Sequence, residues 1–162
     1  MGVINLVTPL RVVLLCAIVV WGALATAQSS VASQSDGNAA EQQIQKVLQA
    51  QTEAWNHGDL EGYMAGYWNS PDLTFFSNAT ETHGWQPTLD RYKARYQGSG
   101  KTMGKVSFPE LKITSLSDDA AFVRGQWQLE MPDGKKPHGM FTLLVRKFPE
   151  GWRIVHDHSS GE

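Results

Sequence analysis

The sequence predicts a single α+β domain in which the helices come first and the sheet follows. Apolar residues recur at three-to-four spacing between residues 44 and 67 and again between 89 and 96, which is typical of amphipathic helices. After Gly104 the chain forms alternating apolar and polar runs separated by short turns containing Asp, Pro and Gly, which is typical of an antiparallel meander. Helices and strands segregated in this way favour helices packed on one face of a sheet.

The N-terminal residues 1–27 are predicted to be a cleavable secretory signal. Arg11 precedes an apolar run without charges from Val12 to Ala25, and Ala25-Thr26-Ala27 is a small-x-small cleavage pattern. The alternative is a retained membrane anchor, which the run disfavours because a bilayer span needs about 20 residues. We therefore expect a secreted or periplasmic protein.

Composition narrows the chemistry of the mature chain. Residues 28–40 are rich in Ser, Gln, Ala and Gly and are predicted to form a flexible leader, which leaves 41–160 for the domain. Cys16, the only cysteine, lies in the predicted signal, so a disulfide, a thiol nucleophile and thiolate metal ligands are all excluded after cleavage. The chain has a formal charge of −2 and no basic stretch, which argues against a nucleic-acid partner.

Three helices are predicted from buried stripes and caps. The first stripe contains Ile44, Val47, Leu48, Gln51, Ala54 and Trp55. Gly58 can adopt the left-handed conformation that ends this helix, and Asp59 can cap a second one. The second helix turns Leu60, Tyr63, Met64 and Tyr67 inward. Pro87 suits the first turn of a third helix, whose inner face carries Leu89, Tyr92 and Tyr96.

Strands are predicted at 73–76, at 82–85 and at four longer runs, 106–116, 120–131, 138–148 and 152–159. Alternate residues of a strand point to opposite sides, so the apolar set of the strand at 120–131 faces the helices: Ala121, Val123, Gly125, Trp127 and Leu129. The corresponding set of the next strand is Phe141, Leu143 and Val145.

The last hairpin decides the orientation of the closing strand. If Pro149-Glu150-Gly151 is a three-residue loop, Phe148 opposes Trp152 and Leu143 opposes Asp157. Directly opposed residues share a face, so Asp157 and Ser159 should point toward the helices and His156 and His158 away from them. A loop one residue longer or shorter would reverse this assignment.

Three segments carry a recognisable pattern: Gly58-Asp59-Leu60-Glu61-x-Tyr63, Pro71-Asp72-Leu73-Thr74-x-Phe76 and Gly151-Trp152-Arg153-Ile154-Val155-His156-Asp157-His158-Ser159. Together they resemble the nuclear-transport-factor-2-like superfamily, in particular its SnoaL-like branch and the association domain of calcium/calmodulin-dependent kinase. The resemblance implies a cone-shaped, curved antiparallel sheet wrapped around three helices, a cystatin-like fold with an apolar pocket. Such domains are usually homodimers that pair through the outer face of the sheet.

The resemblance also bears on the ligand. The kinase module carries arginines at the positions of Leu143 and Ser159, and their absence here argues against the kind of anionic ligand that they would bind. Fold alone does not define function, because this superfamily includes enzymes, adaptors and oligomerisation modules.

Asp157 is the candidate catalytic residue. A carboxylate that faces an aromatic pocket loses solvation, so its pKa should rise toward the range of a general base. The alternative is a solvated carboxylate at the pocket mouth, or one paired with Arg146 or Arg153. The predicted wall of the pocket comprises Trp55, Tyr63, Tyr67, Tyr92, Trp127, Phe141 and Ser159.

The other face of the sheet is the predicted dimer face, with Leu144, Arg146, His156 and His158. The two histidines share a face and suggest zinc, but only His83, His138 or a distant carboxylate could supply a third ligand, so we predict no metal site. Packing at the dimer interface explains the positions of His156 and His158 better than metal binding does.

Two functions remain open at the level of sequence. The sequence favours a binding or association module for a small apolar or weakly polar ligand, because it shows no clear acid–base pair on the pocket face. The alternative is a cofactor-independent isomerase, cyclase or lyase with Asp157 as base. A hydrogen bond between Asp157 and a pocket tyrosine would favour the enzyme, whereas a salt bridge at the rim would favour the module.

Overall fold

The computed structural model describes residue 2 and residues 17–161. Most of the predicted signal, residues 1 and 3–16, lies outside that part of the chain. The chain divides into two compact units, Met1–Asp36 and Gly37–Glu162. Within the described residues, no helix combines the length and the apolarity that a membrane crossing requires.

The first helix begins earlier than the sequence analysis expected. Helix α1 runs over Ala17–Asn56, so residues 28–40, the predicted flexible leader, have helical backbone. That stretch contains no proline, and its Ala, Gln and Ser residues are compatible with a helix. Low apolar content, the basis of the leader prediction, does not by itself exclude helical backbone.

The predicted stripes and caps of the helices are confirmed. Ile44, Leu48, Gln51 and Trp55 of α1 are each at most 3% exposed. Gly58 has a φ of 80°, and the Asp59 carboxylate accepts a hydrogen bond from the Gly62 N–H at 2.8 Å. Helix α2 is Leu60–Met64, and helix α3 is Trp85–Tyr92, extended by a π-helical turn at Lys93–Gln97.

Seven strands form one curved sheet: β1 Thr74–Ser77, β2 Thr80–His83, β3 Lys105–Ser107, β4 Lys112–Ser117, β5 Ala120–Glu130, β6 His138–Phe148 and β7 Gly151–Ser159. Their order is β2-β1-β7-β6-β5-β3, and β4 also pairs with β5. The predicted strand at 106–116 is therefore two strands. Pro109 cannot donate a ladder hydrogen bond, and Glu110 has a φ of 57°. Pairing with β5 is therefore interrupted between β3 and β4.

The sheet is mixed, which corrects the expectation of a purely antiparallel sheet. Strand β1 pairs in parallel with β7, and Phe75 lies opposite Asp157. This pairing joins strands far apart in sequence, with α3 and the meander between them. Turn chemistry, the basis of the antiparallel prediction, reports only on strands that follow each other along the chain.

The predicted register of the last hairpin is wrong at the turn and correct where Leu143 opposes Asp157. Phe148 opposes Gly151 rather than Trp152, so the turn contains only Pro149 and Glu150. A β-bulge follows, because Val145 opposes Ile154 while Leu144 opposes His156. Val155 is the extra residue of the bulge, and it compensates for the shorter turn.

The bulge reverses the alternation of side chains along β7. Trp152 and Ile154 point into the core before it, with 2% and 1% exposure, and Asp157 points into the core after it, with 4% exposure. The segment after α2 is hydrogen-bonded to β7 beside the bulge. The Ile154 N–H donates to the Gly66 carbonyl, and the Trp68 N–H donates to the Ile154 carbonyl, each at 2.9 Å. These two bonds hold the intervening Tyr67 beside β7.

Candidate functional site

Aromatic side chains from the helices and the sheet enclose a cavity of about 270 Å³. The volume lies near the lower end of the range for small-molecule sites, about 300–1,000 Å³. The structure brings to its wall every residue that the sequence analysis assigned to a pocket: Trp55, Tyr63, Tyr67, Tyr92, Trp127, Phe141 and Ser159.

Asp157 lies in the buried part of the cavity wall. The Tyr67 hydroxyl donates to its Oδ2 at 2.7 Å, and the Ser159 hydroxyl donates to its Oδ1 at 2.8 Å. The two arginines considered as its partners are engaged elsewhere. Arg146 pairs with Asp119 at 2.9 Å, and Arg153 donates to the carbonyls of Trp152 and Glu150. The Asp157 carboxylate is therefore held by hydroxyl groups rather than by a cation.

Burial shifts the acidity of this carboxyl group. Loss of solvation raises the pKa of Asp157 from an ordinary value of 3.8 to about 6, against the lowering effects of the hydrogen bonds from Tyr67 and Ser159 and of nearby His158. Asp157 is thus mostly ionised at neutral pH and becomes protonated in mildly acidic solution. A carboxylate with a pKa in this range can both accept a proton and return it near neutral pH.

Three tyrosines keep their protons near Asp157. Burial raises the pKa of Tyr63, Tyr67 and Tyr92, and the negative charge of Asp157 raises each pKa further. The Tyr63 hydroxyl lies 3.5 Å from the Tyr67 hydroxyl. These groups act as hydrogen-bond donors across the physiological pH range.

Edge-on aromatic contacts fix the tyrosine rings. The Trp55 ring contacts Tyr63, Tyr92 and Tyr96 with centroid distances of 5.1, 6.0 and 4.8 Å. Edge-to-face pairs at these distances are a preferred aromatic geometry. The Trp85 indole N–H donates to the Met64 carbonyl at 2.8 Å, which attaches α3 to the end of α2. The tyrosines of two helices are thereby held around one space.

The end of β7 forms another part of the wall. The Trp127 indole N–H donates to the Ser160 carbonyl at 2.9 Å, and all of Trp127, Ser160 and Gly161 border the cavity. Gly139 permits this arrangement, because a Cβ atom on it would lie 1.8 Å from the Ser160 carbonyl oxygen. This part of the wall therefore depends on glycine at position 139, where any side chain would collide with the Ser160 carbonyl.

The residues predicted for a dimer lie on the opposite face of the sheet. Leu144 is 36% exposed, and Arg146 and His158 are exposed. The Thr74 hydroxyl and His156 Nδ1 are hydrogen-bonded at 2.6 Å. The two histidines do not border the cavity, and within residues 37–161 no group of three potential metal ligands is assembled.

Sequence reasoning missed several residues of the wall, among them Phe75, Asn78, Arg91, Arg95 and Ser160. The sequence does not indicate which side chains of the short strand β1 face the cavity, because the adjacent residues Phe75 and Phe76 are both aromatic and point to opposite faces. Arg91 and Arg95 flank the apolar stripe of the third helix, and their four-residue spacing was the available signal.

Comparison with known proteins places the domain in a family. The family model for the SnoaL-like domain matches residues 44–161. A nuclear-transport-factor-2-like protein of unknown function from Shewanella oneidensis is 41% identical, and the alignment covers 74% of this chain and 98% of that one, with a TM-score of 0.69. No curated protein matches the sequence. The chain belongs to the SnoaL-like family of the nuclear-transport-factor-2-like superfamily.

More distant structures share the fold alone. A nuclear-transport-factor-2-like superfamily protein from Salmonella enterica is 21% identical, with a TM-score of 0.65 and coverage of 76% of this chain and 92% of that one. A ketosteroid isomerase-like protein from Erwinia carotovora is 20% identical, with a TM-score of 0.58 and coverage of 74% and 93%.

The raised pKa of Asp157 predicts a pH-dependent stability. The folded state holds this proton more tightly than the unfolded state, so the contribution of Asp157 to the free energy of unfolding should fall as the pH rises from about 4 to about 6. The difference between 3.8 and about 6 corresponds to about 3 kcal/mol. We expect Asp157→Asn, which retains an acceptor for Tyr67, to lose this slope and to exceed the wild type in stability at pH 7.5.

Urea unfolding between pH 4 and 8 measures this difference. Asp119→Asn is the matched control, because hydrogen bonds from Ser117 and Arg146 lower the pKa of that exposed carboxyl group. The control should keep the Asp157-dependent slope between pH 4 and 6. Parallel stability curves for the wild type and Asp157→Asn would contradict the buried, ionisable state of Asp157.

Proposed function

We propose that the cavity binds a small molecule and that Asp157 acts on it as a general base, in a cofactor-independent reaction of the isomerase, cyclase or lyase kind. The observation that supports this proposal is the Asp157 carboxylate, buried at 4% exposure and hydrogen-bonded at 2.7 Å by a cavity tyrosine. A salt bridge of Asp157 at the rim, the arrangement that would favour a pure association module, is not formed within residues 37–161, because Arg146 pairs with Asp119 instead.

The proposed chemistry transfers a proton at carbon. Asp157 takes a proton from a carbon next to a carbonyl group, and a tyrosine hydroxyl donates a hydrogen bond to the oxygen on which negative charge develops. Tyr63 suits that role, because it borders the cavity while the Tyr67 hydroxyl is committed to Asp157. The proton then returns from Asp157 to the same or another atom of the substrate.

A binding domain without catalysis is the second candidate. It is favoured by the fact that both oxygens of the Asp157 carboxylate already accept hydrogen bonds, from Tyr67 and Ser159. A carboxylate satisfied in this way can serve as a fixed polar anchor for a ligand. The two candidates share the cavity and differ in whether Asp157 exchanges a proton with the ligand.

Proton exchange at carbon separates these candidates. We expect the protein to accelerate the exchange of α-protons for deuterium in a panel of small enolisable ketones, including phenylacetone, followed by ¹H NMR in D₂O. Asp157→Asn should reduce the exchange rate by roughly 10²–10⁴-fold, the usual contribution of a general base. Tyr63→Phe should reduce it less, by removal of one donor.

Binding is measured separately by native mass spectrometry and ligand-observed NMR. A ketone that binds Asp157→Asn as well as the wild type, but exchanges only with the wild type, supports catalysis. Exchange at equal rates in both proteins removes Asp157 from the mechanism, and binding without exchange in either favours the binding domain.

We infer a homodimer formed through the outer face of the sheet. Phe122 and Leu144 are cross-strand neighbours there and are each 36% exposed, and Met140 on the same face is 56% exposed. Burial and nearby His158 lower the pKa of His156, which favours the neutral imidazole and suits an apolar interface. Leu144→Glu should yield a monomer by size-exclusion chromatography with light scattering, whereas Lys46→Glu, on helix α1, should not. An unchanged mass for Leu144→Glu, or a monomeric wild type, would contradict the dimer.

We propose export through cleavage of the signal after Ala27. The supporting pattern is Arg11, the apolar run at 12–25 and Ala25-Thr26-Ala27. Intact-mass measurement of the protein expressed from the full reading frame should give a chain that begins at Gln28. Ala27→Phe should leave the chain unprocessed. A full-length chain in the wild type would favour a retained anchor or no export.

A further inference from the structure

Two arginines border the cavity where its wall becomes exposed. Arg91 lies near the end of α3 and is half-buried, and Arg95 lies in the π-helical turn and is exposed. Both contribute to the wall of the cavity, as does the exposed Asn78. Because the wall around Asp157 is buried and the wall around these residues is exposed, the arginines mark the mouth.

Neither arginine is neutralised by an acidic side chain within residues 37–161. Lys93, which lies between them in sequence, pairs with Glu61 at 2.8 Å. The Arg91 guanidinium instead lies 5.7 Å from the centre of the Phe75 ring and donates to the Thr82 hydroxyl at 3.3 Å. The Arg95 guanidinium lies 5.5 Å from the centre of the Tyr96 ring. Aromatic rings orient both cations and leave their charge uncompensated.

The wall of the cavity therefore combines a buried carboxylate, aromatic rings and guanidinium groups near its exposed part. Phe75 is the neighbour of Asp157 across the β1–β7 pair, and its ring lies beneath Arg91. Three neighbouring groups of the wall are thus, in spatial order, a carboxylate, an aromatic ring and a guanidinium. An anionic group would be repelled by Asp157 and attracted to the arginines, so it would lie at the mouth.

We propose that Arg91 and Arg95 bind an oxyanion, a carboxylate or a phosphate, at one end of the cavity's ligand, with the other end directed toward Asp157. Planar guanidinium groups bind both oxyanions through paired hydrogen bonds. The sequence analysis argued against an anionic ligand because arginines are absent from positions 143 and 159. The helix and its π-helical turn supply the cationic groups that the strands lack.

This proposal rests on the proposed function only for the orientation of the ligand. Binding of the oxyanion requires the two arginines and the cavity, and does not require Asp157 to transfer a proton. The two proposals can therefore fail independently.

Three matched probes test the proposal: phenylacetate, phenyl phosphate and phenylacetamide. We expect the protein to bind at least one of the two anions about tenfold or more tightly than the neutral amide, measured by ligand-observed NMR titration at pH 7.5. The double variant Arg91→Gln/Arg95→Gln should weaken binding of that anion by roughly 10–100-fold, as expected for loss of charge-assisted hydrogen bonds. Its affinity for the amide should change little.

Lys46→Gln/Lys147→Gln is the matched control, because it removes the same net charge from exposed positions that do not border the cavity. The control should retain the anion preference. Asp157→Asn, which removes a negative charge that repels the anion, should retain or strengthen the preference, whatever its effect on proton exchange. Near-ultraviolet circular dichroism verifies that each variant is folded. Equal affinities for anions and amide, no anion binding at all, or an anion preference that survives in Arg91→Gln/Arg95→Gln would each overturn the proposal.

Discussion

One extra residue in the last strand, Val155, decides which side chains reach the cavity. Without the bulge, the alternation that buries Trp152 and Ile154 would direct His156 inward and Asp157 outward. The hydrogen bonds of Ile154 to Gly66 and Trp68 hold the strand at this point and bring Tyr67 beside it. The contact between Tyr67 and Asp157 is thus a consequence of the bulge, and the aromatic wall is arranged around that contact.

The buried carboxylate opposes the stability of the fold that contains it. Removing Asp157 from water raises its pKa, so the ionised form weakens the folded state at neutral pH, and the hydroxyls of Tyr67 and Ser159 offset only part of that cost. A leucine at this position would pack among the tyrosines without the loss of solvation free energy that the carboxylate incurs. Charged groups buried at a cost in stability are characteristic of functional sites, so the proposed chemistry lies in the cavity and not at the histidines of the outer face.

Much of the domain could be predicted from local sequence, and the exceptions have physical causes. The stripe from Ile44 to Trp55 and the cap at Asp59 depend on residues close in sequence, and they were predicted correctly. The inward position of Asp157 was predicted through two errors that cancel, a turn one residue too long and an unrecognised bulge. The parallel pairing of β1 with β7 is non-local and has no turn to indicate it. Arg91 and Arg95 escaped notice because charged residues beside an apolar stripe are usually solvated.

The parallel pairing of β1 and β7 has a consequence for how such a cavity can diversify. Both strands run toward the same edge of the sheet, so the residues that follow them, Asn78 after β1 and Ser160 after β7, border the cavity together. These positions lie beyond the last ladder pair, Ser77 with Ser159, and are exposed. Under the proposed function, substitutions at these two positions would change ligand selectivity at the mouth and leave Asp157 and the buried tyrosines as they are.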